Sequence, residues 1–280
     1  MENLKFMIME SKKVNLIGVV GRISSGKDTV GQMIRYLTSL NTHLSYNEWI
    51  KEYDYYGASK WEIKKFADKI KDITCLLTGC TRSQLEDRDF KEQEIGKDWK
   101  VYKALYLDQF EQEVYLFATR EERKAWIDSL SDSLDCREVW EETLTYRKLM
   151  QLLGTECGRN ILHPNIWITS LFADYKLTRP SSSLGDLTQG FPNWIITDCR
   201  FPNEMQSIKD RGGILIKINK KWDTVKSGNT RIDYIPVPEY QHPSELEMDK
   251  WTEWDEVINN DGTLDELLSQ VKTIVEKYNL

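Results

Sequence analysis

The sequence predicts an α/β fold in which a parallel sheet is covered by helices on both faces. Short apolar runs typical of buried strands alternate with stretches whose apolar residues recur at helical spacing. A glycine-bounded loop joins the first strand to the first helix, and polar residues close a later strand. Because ligands of such sheets bind at the carboxyl ends of the strands, both features indicate one site at that edge.

The individual strands and helices follow from this spacing. Val14 to Val20 is a mostly apolar run typical of a buried strand, and the helix after its loop has an inner face formed by Val30, Met33, Ile34 and Leu37. Further strands are expected at 61–66, 194–198, 214–218 and 256–258. Further helices are expected from Ala67 to Leu77, from Tyr146 to a stop at Gly154, from Ile166 to about Leu177, up to Gly212, and from Leu264 to Val275. Loops are expected at 179–185 and 219–238.

The segment 99–143 interrupts this alternation. It is rich in aromatic and charged residues, and we interpret it as a mainly helical insertion, with one short strand, in a single domain covering 1–280. Such an insertion would cover the site or mediate self-association. A decorated surface insertion explains the composition about as well.

Composition excludes several classes of function. With 40% hydrophobic and 30% charged residues the chain is typical of a globular enzyme. Its net charge of −7 argues against a broad nucleic-acid-binding face, so an anionic substrate must meet a local basic pocket. The five cysteines form no CxxC pair and are interpreted as reduced thiols of a cytosolic protein. The three histidines lack the spacing of a zinc or di-iron site.

The loop after the first strand has the pattern of a phosphate cradle. Gly21 and Gly26 permit a tight turn and a close backbone approach, while successive amides and the helix N-terminus face the phosphates. Lys27 adds a mobile cation. The residues assigned to nucleotide binding are Gly21, Ser24, Ser25, Gly26, Lys27, Asp28 and Thr29. The alternative is a Gly/Ser-rich turn that matches the pattern by chance.

One position departs from the general pattern. Asp28 stands where serine or threonine usually follows the lysine and binds Mg²⁺. Thr29, or Asp28 through a water molecule, must then take over that role.

Two further groups of residues indicate phosphate chemistry. Asp198 ends an apolar strand, where a carboxylate can orient the hydration shell of Mg²⁺, and Arg200 can neutralise a phosphoryl group. A salt bridge between these two residues is the alternative. Arg147, Gln151 and Gly154 share one helix face by their spacing, which suits phosphate and base recognition, although a solvated polar face has the same pattern.

With these residues the sequence resembles the phage-type deoxynucleoside monophosphate kinases, a branch of the P-loop nucleoside monophosphate kinases. The resemblance covers nearly the whole chain, and in this family the Gly-Lys-Asp form of the loop is usual. The matching segments are GRISSGKDT at 21–29, KKFADKIKD at 64–72, TYRKLMQLLGTE at 145–156, NIWITSLFADY at 165–175, ITDCRFPNE at 196–204, RGGILIKI at 211–218, HPSE at 242–245 and VINNDGTLDEL at 257–267.

The resemblance implies a P-loop NTPase-type three-layer fold and transfer of phosphate from ATP to a deoxynucleoside monophosphate with Mg²⁺. It implies Lys27, Asp198 and Arg200 as catalytic residues, with Mg²⁺ near Thr29, Asp28 and Asp198. The residues that it implies for the monophosphate are Lys71, Arg88, Arg147, Gln151, Gly154, Thr155, Trp167 and Glu204. Lys220 stands where relatives are expected to have arginine, in a loop expected to close on the substrates.

The same resemblance implies ATP and the monophosphate as partners, with neither a nucleic-acid polymer nor a membrane. A homodimer and a cytoplasmic location, in the host if the chain is phage-encoded, are further expectations. Two alternatives stay open: a P-loop kinase of another small phosphorylated acceptor, and a nucleotide-binding protein without turnover. Several cations facing an acceptor argue against the second, and Gln151 with Trp167, suited to reading and stacking a base, argue against the first.

Overall fold

The computed structural model describes 14–39, 43–51, 59–107, 112–130, 135–177, 190–220 and 247–280, with the backbone alone at 105–107, 112–114 and 135–138. Its contacts divide the chain into two compact units. The first comprises Met1–Asp68 and Asn165–Leu280, and the second comprises Lys69–Pro164.

The first unit is built on a parallel sheet of five strands in the order β2-β6-β1-β7-β8. The strands are β1 (Leu16–Val20), β2 (Trp61–Lys64), β6 (Asn193–Cys199), β7 (Ile214–Asn219) and β8 (Glu256–Asn259). All five lie where apolar runs predicted them. Every residue of β1 is buried, because this strand is paired on both edges and covered on both faces.

Helices cover both faces of this sheet. They are α1 (Lys27–Leu37), α2 (Tyr46–Lys51), α7 (Ile166–Phe172), α8 (Pro202–Asp210) and α9 (Leu264–Tyr278). Helices α1 and α9 pack together, and their residues Val30, Ile34 and Val271 share one buried cluster with Ile17 and Val19 of β1. Helix α8 packs on β1 and β7. The predicted parallel sheet flanked by helices is therefore confirmed.

The second unit contains an antiparallel sheet of three strands in the order β4-β3-β5. Its strands are β3 (Lys100–Leu107), β4 (Gln112–Phe117) and β5 (Asp135–Thr143). Its helices are α3 (Asp68–Thr78, which begins at the boundary of the unit), α4 (Arg88–Lys91), α5 (Arg120–Ser129) and α6 (Tyr146–Gln151). Short 3-10 turns cover Gln84–Glu86 and Lys97–Trp99, and a third, Glu247–Lys250, belongs to the first unit.

The expectation of a mainly helical insertion at 99–143 is wrong, because the described residues of this segment form three strands and the helix α5. Several of its aromatic residues lie on the strands, where Tyr102 pairs with Phe117 across the sheet. Trp126 of α5 covers this face, with its ring centroid 4.6 Å from that of Tyr115 and 5.3 Å from that of Phe117. These strands mix charged and apolar residues without a regular alternation of period two, so the sequence pattern did not identify them as strands.

The predicted helix stop at Gly154 is also wrong. Helix α6 ends at Gln151, and the chain continues as a wider π-helical stretch, Leu152–Leu162. Gly154 is buried, and a Cβ atom on it would lie 3.1 Å from Cδ1 of Ile70 in α3. The glycine therefore permits close packing in the middle of a helical segment and does not end it.

Other boundaries differ less. Helix α7 ends at Phe172, five residues before the expected end at Leu177. The predicted loops at 179–185 and 221–238, and the motif at 242–245, lie outside the described residues. Within the part of the chain that the structure describes, no helix is both long and apolar enough to cross a membrane.

Gly213 provides a test of the packing between α8 and the sheet. A Cβ atom here would lie 2.7 Å from the carbonyl oxygen of Leu16 and 2.7 Å from Cγ2 of Ile208. We expect Gly213→Ala to lower the free energy of unfolding in urea by about 1–3 kcal/mol, because backbone must move. Gly190→Ala is the matched control, since no described atom lies within 4 Å of its added methyl group. Equal stability of the two variants would contradict this packing.

Candidate functional site

The loop between β1 and α1 has the backbone shape of an anion-binding nest. Ser24 and Gly26 are left-handed, with φ of 59° and 97°, and Gly26 is the N-cap residue of α1. Left-handed residues within a tight turn direct successive N–H groups towards one side, and the first turn of a helix adds further N–H groups. Ser25 between them is buried. The loop therefore has the backbone conformation of an anion-binding nest, and its role as a phosphate cradle stays a prediction.

Lys27 is folded back over this loop. Its Nζ donates to the carbonyl oxygens of Gly21 and Arg22, both at 2.7 Å. Arg22 in turn is paired with Asp249 at 2.9 Å. The ammonium group therefore lies over the turn whose amides form the nest.

Asp28 is held by two partners from neighbouring strand ends. Oγ1 of Thr197 donates to Oδ1 of Asp28 at 2.6 Å, and Nζ of Lys65 lies 3.0 Å from the same oxygen. Burial alone would raise the pKa of Asp28, but the Thr197 hydrogen bond and the charge of Lys65 outweigh it, and the pKa lies below its ordinary value. Asp28 is therefore an anion within a network that includes Lys65, a residue that the sequence analysis did not single out.

Asp198 accepts hydrogen bonds from two backbone amides. Its Oδ1 accepts from Phe66 N at 2.8 Å and its Oδ2 from Ala67 N at 2.9 Å. Burial raises the pKa of Asp198, and these two hydrogen bonds and the charge of Arg200 offset only part of that rise. This carboxylate therefore joins the end of β6 to the segment that follows β2.

Glu204 supports the backbone next to Asp198. It is buried, and its Oε2 accepts from Arg200 N at 2.7 Å and from Phe201 N at 3.1 Å. It therefore satisfies N–H groups at the start of α8 and fixes the position from which Arg200 extends. Trp167, on α7, is buried with 5% of its surface exposed.

The described residues contain no group of three or more His, Cys, Asp or Glu side chains that could hold a metal ion. Asp28 and Asp198 both accept hydrogen bonds within the protein, and Thr29 lies half-buried in the first turn of α1. This donor set is too small for a cage made of protein ligands alone. It fits a Mg²⁺ ion held mainly by phosphate oxygens and water, which is how proteins usually hold Mg²⁺ with a nucleotide.

The second unit gathers cations that the resemblance assigns to the monophosphate. Nζ of Lys71 lies 2.5 Å from Oε1 of Glu86, and Arg147 is hydrogen-bonded to Glu92. Arg88 opens α4 and is exposed. These side chains provide positive charge at the positions where the sequence predicted phosphate contacts.

Lys91 belongs to the same cluster and was missed. Burial, followed by the charges of Arg147 and Lys71, lowers its pKa, so those cations lie near it. Helices α4 and α6 pack together, and the ring centroids of Phe90 and Tyr146 are 4.5 Å apart. Lys91 lies one helical turn after Arg88 in α4, and this spacing could have indicated a shared site. The spacing becomes informative only when α4 is known to pack on α6.

Gln151 closes α6 one helical turn after Arg147, so these two residues keep the shared face that their spacing predicted. Gly154 and Thr155 lie in the π-helical stretch. Its wider turn changes their angular position relative to Arg147, so the i, i+7 relation does not hold.

Comparison with known proteins agrees with these features. Residues 15–271 match a family model described as deoxynucleotide monophosphate kinase. The chain is 25% identical to the deoxynucleoside-5'-monophosphate kinase of Escherichia phage T5, over 81% of this chain and 87% of that protein. It is 30% identical to a putative deoxynucleotide monophosphate kinase of Acanthamoeba polyphaga mimivirus over 47% of this chain and 62% of that one. It is 27% identical to the deoxynucleotide monophosphate kinase of Enterobacteria phage T4, where the match covers 49% of this chain and 47% of the relative.

The pair between Asp28 and Lys65 predicts a pH-dependent contribution to stability. Asp28→Asn keeps an acceptor for Thr197 but removes the charge, and should lower the free energy of unfolding by about 0.5 kcal/mol at neutral pH, because the carboxylate is well exposed. The deficit is complete above the ordinary pKa of 3.8 and vanishes as the pH falls through the lower folded-state pKa. Urea unfolding at about pH 7 and about pH 2.5 measures both limits. A deficit that grows on acidification would contradict the lowered pKa.

Proposed function

Because the chain belongs to the deoxynucleotide monophosphate kinase family, we propose that it transfers the γ-phosphoryl group of ATP to a deoxynucleoside monophosphate. The products are ADP and the deoxynucleoside diphosphate. The observation that carries the proposal is the loop at 21–27, where left-handed residues, the start of α1 and Lys27 combine in a cradle for phosphate. The named activities of the phage T5 and T4 relatives support the same acceptor class.

ATP binds with its phosphates on this loop. Lys27 exchanges the carbonyl oxygens of Gly21 and Arg22 for phosphate oxygens, and the N–H groups around Ser25 and Gly26 donate to the remaining phosphate oxygens. Hydrogen bonds to charged oxygens are stronger than those to carbonyls, so the exchange favours the bound state.

A bound Mg²⁺ ion would supply neutralisation of phosphate charge. Thr29, Asp28 and Asp198 are the residues that would hold it, directly or through its water molecules. Asp28 is the best suited of the three, because its carboxylate is charged and remains largely exposed while Thr197 and Lys65 hold it in place.

The monophosphate binds through the cations of the second unit. Lys71, Lys91 and Arg147 meet the acceptor phosphate, with Arg88 at the rim. Glu86 and Glu92 hold Lys71 and Arg147 in the protein without ligand, and a phosphate dianion competes with them. In the second unit, Gln151 reads the base, and Gly154 and Thr155 line the nucleoside. The role of Trp167, which belongs to the first unit, stays an expectation from the resemblance.

Catalysis then depends on alignment and charge neutralisation, since phosphoryl transfer needs little covalent chemistry from the protein. Arg200 neutralises the transferring group, and the capping bonds of Glu204 hold its backbone. A nucleotide-binding protein without turnover would need neither this arginine nor a second group of cations, which is why a kinase is favoured.

Three expectations from the sequence stay predictions: a homodimer, a cytoplasmic location, and closure of the loop at 219–238 over the substrates. Most of that loop lies outside the described residues. Hydrogen exchange with and without an analogue that joins ATP to a deoxynucleoside would test the closure.

Replacing Lys27 tests the donor site. Lys27→Ala should reduce kcat by at least about 10²-fold, because it removes a cation that stabilises the transferring phosphate. Its melting temperature should stay close to that of the wild type, since the change removes hydrogen bonds to two loop carbonyl oxygens and truncates no side chain of the buried core. Lys272→Ala, in an exposed pair on α9, is the control. Near-normal turnover of Lys27→Ala would exclude this loop as the ATP site.

Arg147 and Gln151 test the acceptor site. Arg147→Ala should raise KM for all deoxynucleoside monophosphates by a similar factor, because phosphate carries no information about the base. Gln151→Ala should change the ranking among bases by about 1–3 kcal/mol if it removes a buried hydrogen bond to one of them. Steady-state kinetics with each monophosphate measures both effects. A uniform loss from both variants would mean that Gln151 has a structural role.

A further inference from the structure

A side chain from the far end of the sequence holds the phosphate loop. Asn260 follows β8, and its Nδ2 donates to the carbonyl oxygen of Ser25 at 2.9 Å. We propose that Asn260 is a positioning residue for ATP, which fixes the peptide between Ser25 and Gly26 so that its N–H group faces the phosphates. The proposal rests on the assignment of this loop to ATP.

The direction of that N–H group follows from peptide geometry. In a planar trans peptide the C=O and N–H bonds point in opposite directions. Asn260 binds the carbonyl of Ser25, so the N–H of Gly26 points away from Asn260. It therefore points to the side opposite the β8 turn, which is the side that the proposal assigns to the phosphates.

This peptide needs an external partner because Gly26 alone does not fix it. Turning the peptide over changes ψ of residue 25 and φ of residue 26, and glycine accepts both signs of φ at little cost. In the structure φ of Gly26 is 97°. A hydrogen bond to the carbonyl of Ser25 selects this orientation, because the reversed peptide would present an N–H group to the donor on Asn260.

Asn260 is itself rigidly mounted. Its backbone N donates to the carbonyl oxygen of Asn219 at 2.8 Å, at the end of β7, so its position is defined by the sheet. A Cβ atom on Gly26 would lie 2.6 Å from Nδ2 of Asn260. The amide therefore lies directly against the glycine, with no room for another side chain between them.

The preceding residue provides a matched control. Asn259 has the same side chain, but its Oδ1 accepts from Nδ2 of Asn219 at 3.3 Å, and its backbone N donates to Gln270 at 3.1 Å. These contacts lie within the edge of the sheet and α9. Each substitution at 259 therefore makes the same chemical change, to alanine or to aspartate, as the substitution at 260. It does so without removing the donor to Ser25.

The test uses the full chain with Asn260→Ala, Asn260→Asp, Asn259→Ala and Asn259→Asp. The measured quantities are KM for ATP, KM for the monophosphate, the melting temperature, and the dissociation constant of inorganic tripolyphosphate by calorimetry. We expect Asn260→Ala to raise KM for ATP and the tripolyphosphate constant by about tenfold, the effect of one lost hydrogen bond. KM for the monophosphate should stay within about twofold of wild type, as should all constants of Asn259→Ala.

Asn260→Asp should be more severe than Asn260→Ala, because its carboxylate faces the carbonyl of Ser25 without a proton to donate. Asn259→Asp corrects for the added charge. If the alanine variant does not fold, the difference between these two isosteric variants provides the test.

Three results would overturn the proposal. Unchanged affinity for both ATP and tripolyphosphate would mean that the loop keeps its shape without Asn260. Loss of affinity for ATP alone would mean that Asn260 contacts the nucleoside. Equal losses for ATP and the monophosphate, with a lower melting temperature, would mean a general structural role.

A wild-type chain that binds tripolyphosphate but transfers no phosphate to any deoxynucleoside monophosphate would instead refute the proposed function. The calorimetric comparison of the variants would still test Asn260.

Discussion

The pairing of β1 between β6 and β7 is the constraint on which the rest of the first unit depends. Because β1 is buried and hydrogen-bonded on both edges, its carboxyl end cannot move independently of the sheet, and the loop that follows starts from a fixed point. Parallel pairing also brings distant residues to that edge. Thr197 reaches Asp28 across 169 positions of sequence, and Asn260 reaches Ser25 across 235. The loop is short, but its shape is defined by the whole sheet.

The ion pairs of Lys65, Lys71 and Arg147 share one pattern. Lys65, Lys71 and Arg147 each have a carboxylate partner, and in every pair the cation is the less exposed member: 24% against 66%, 11% against 54%, and 36% against 59%. The surrounding protein therefore positions the cation, whereas the acid projects into solvent. In a chain with a net charge of −7 this arrangement limits repulsion among clustered cations and leaves the carboxylate as the partner that a phosphate can displace.

Local sequence patterns were sufficient to predict the parallel sheet of the first unit. They were insufficient to predict the antiparallel sheet of the second unit and the contacts between distant residues. β1, β6 and β7 are short apolar runs, and the loop at 21–29 has its signal within nine residues, so the sequence predicted both. The strands of 99–143 mix charged and apolar residues without a regular alternation, and β5 pairs with β3 across the intervening β4 and α5, so no local signal identified them. Lys65, Lys91 and Asn260 are ordinary polar residues in the sequence, and only folding brings them to Asp28, Arg147 and Ser25. The predicted roles of the site residues towards substrates stay predictions.

The folded-back position of Lys27 affects which anions can occupy the loop. Its ammonium group donates two short hydrogen bonds to carbonyl oxygens, so an anion that takes over one of these donors displaces a protein acceptor. A small ion with a single point of contact, such as chloride, gains one hydrogen bond and leaves the displaced carbonyl without a donor. A polyphosphate offers several oxygens at once, to the ammonium and to the neighbouring amides together. The folded-back lysine thereby favours a polyphosphate over a simple anion, and selectivity for the nucleotide begins before its base is read.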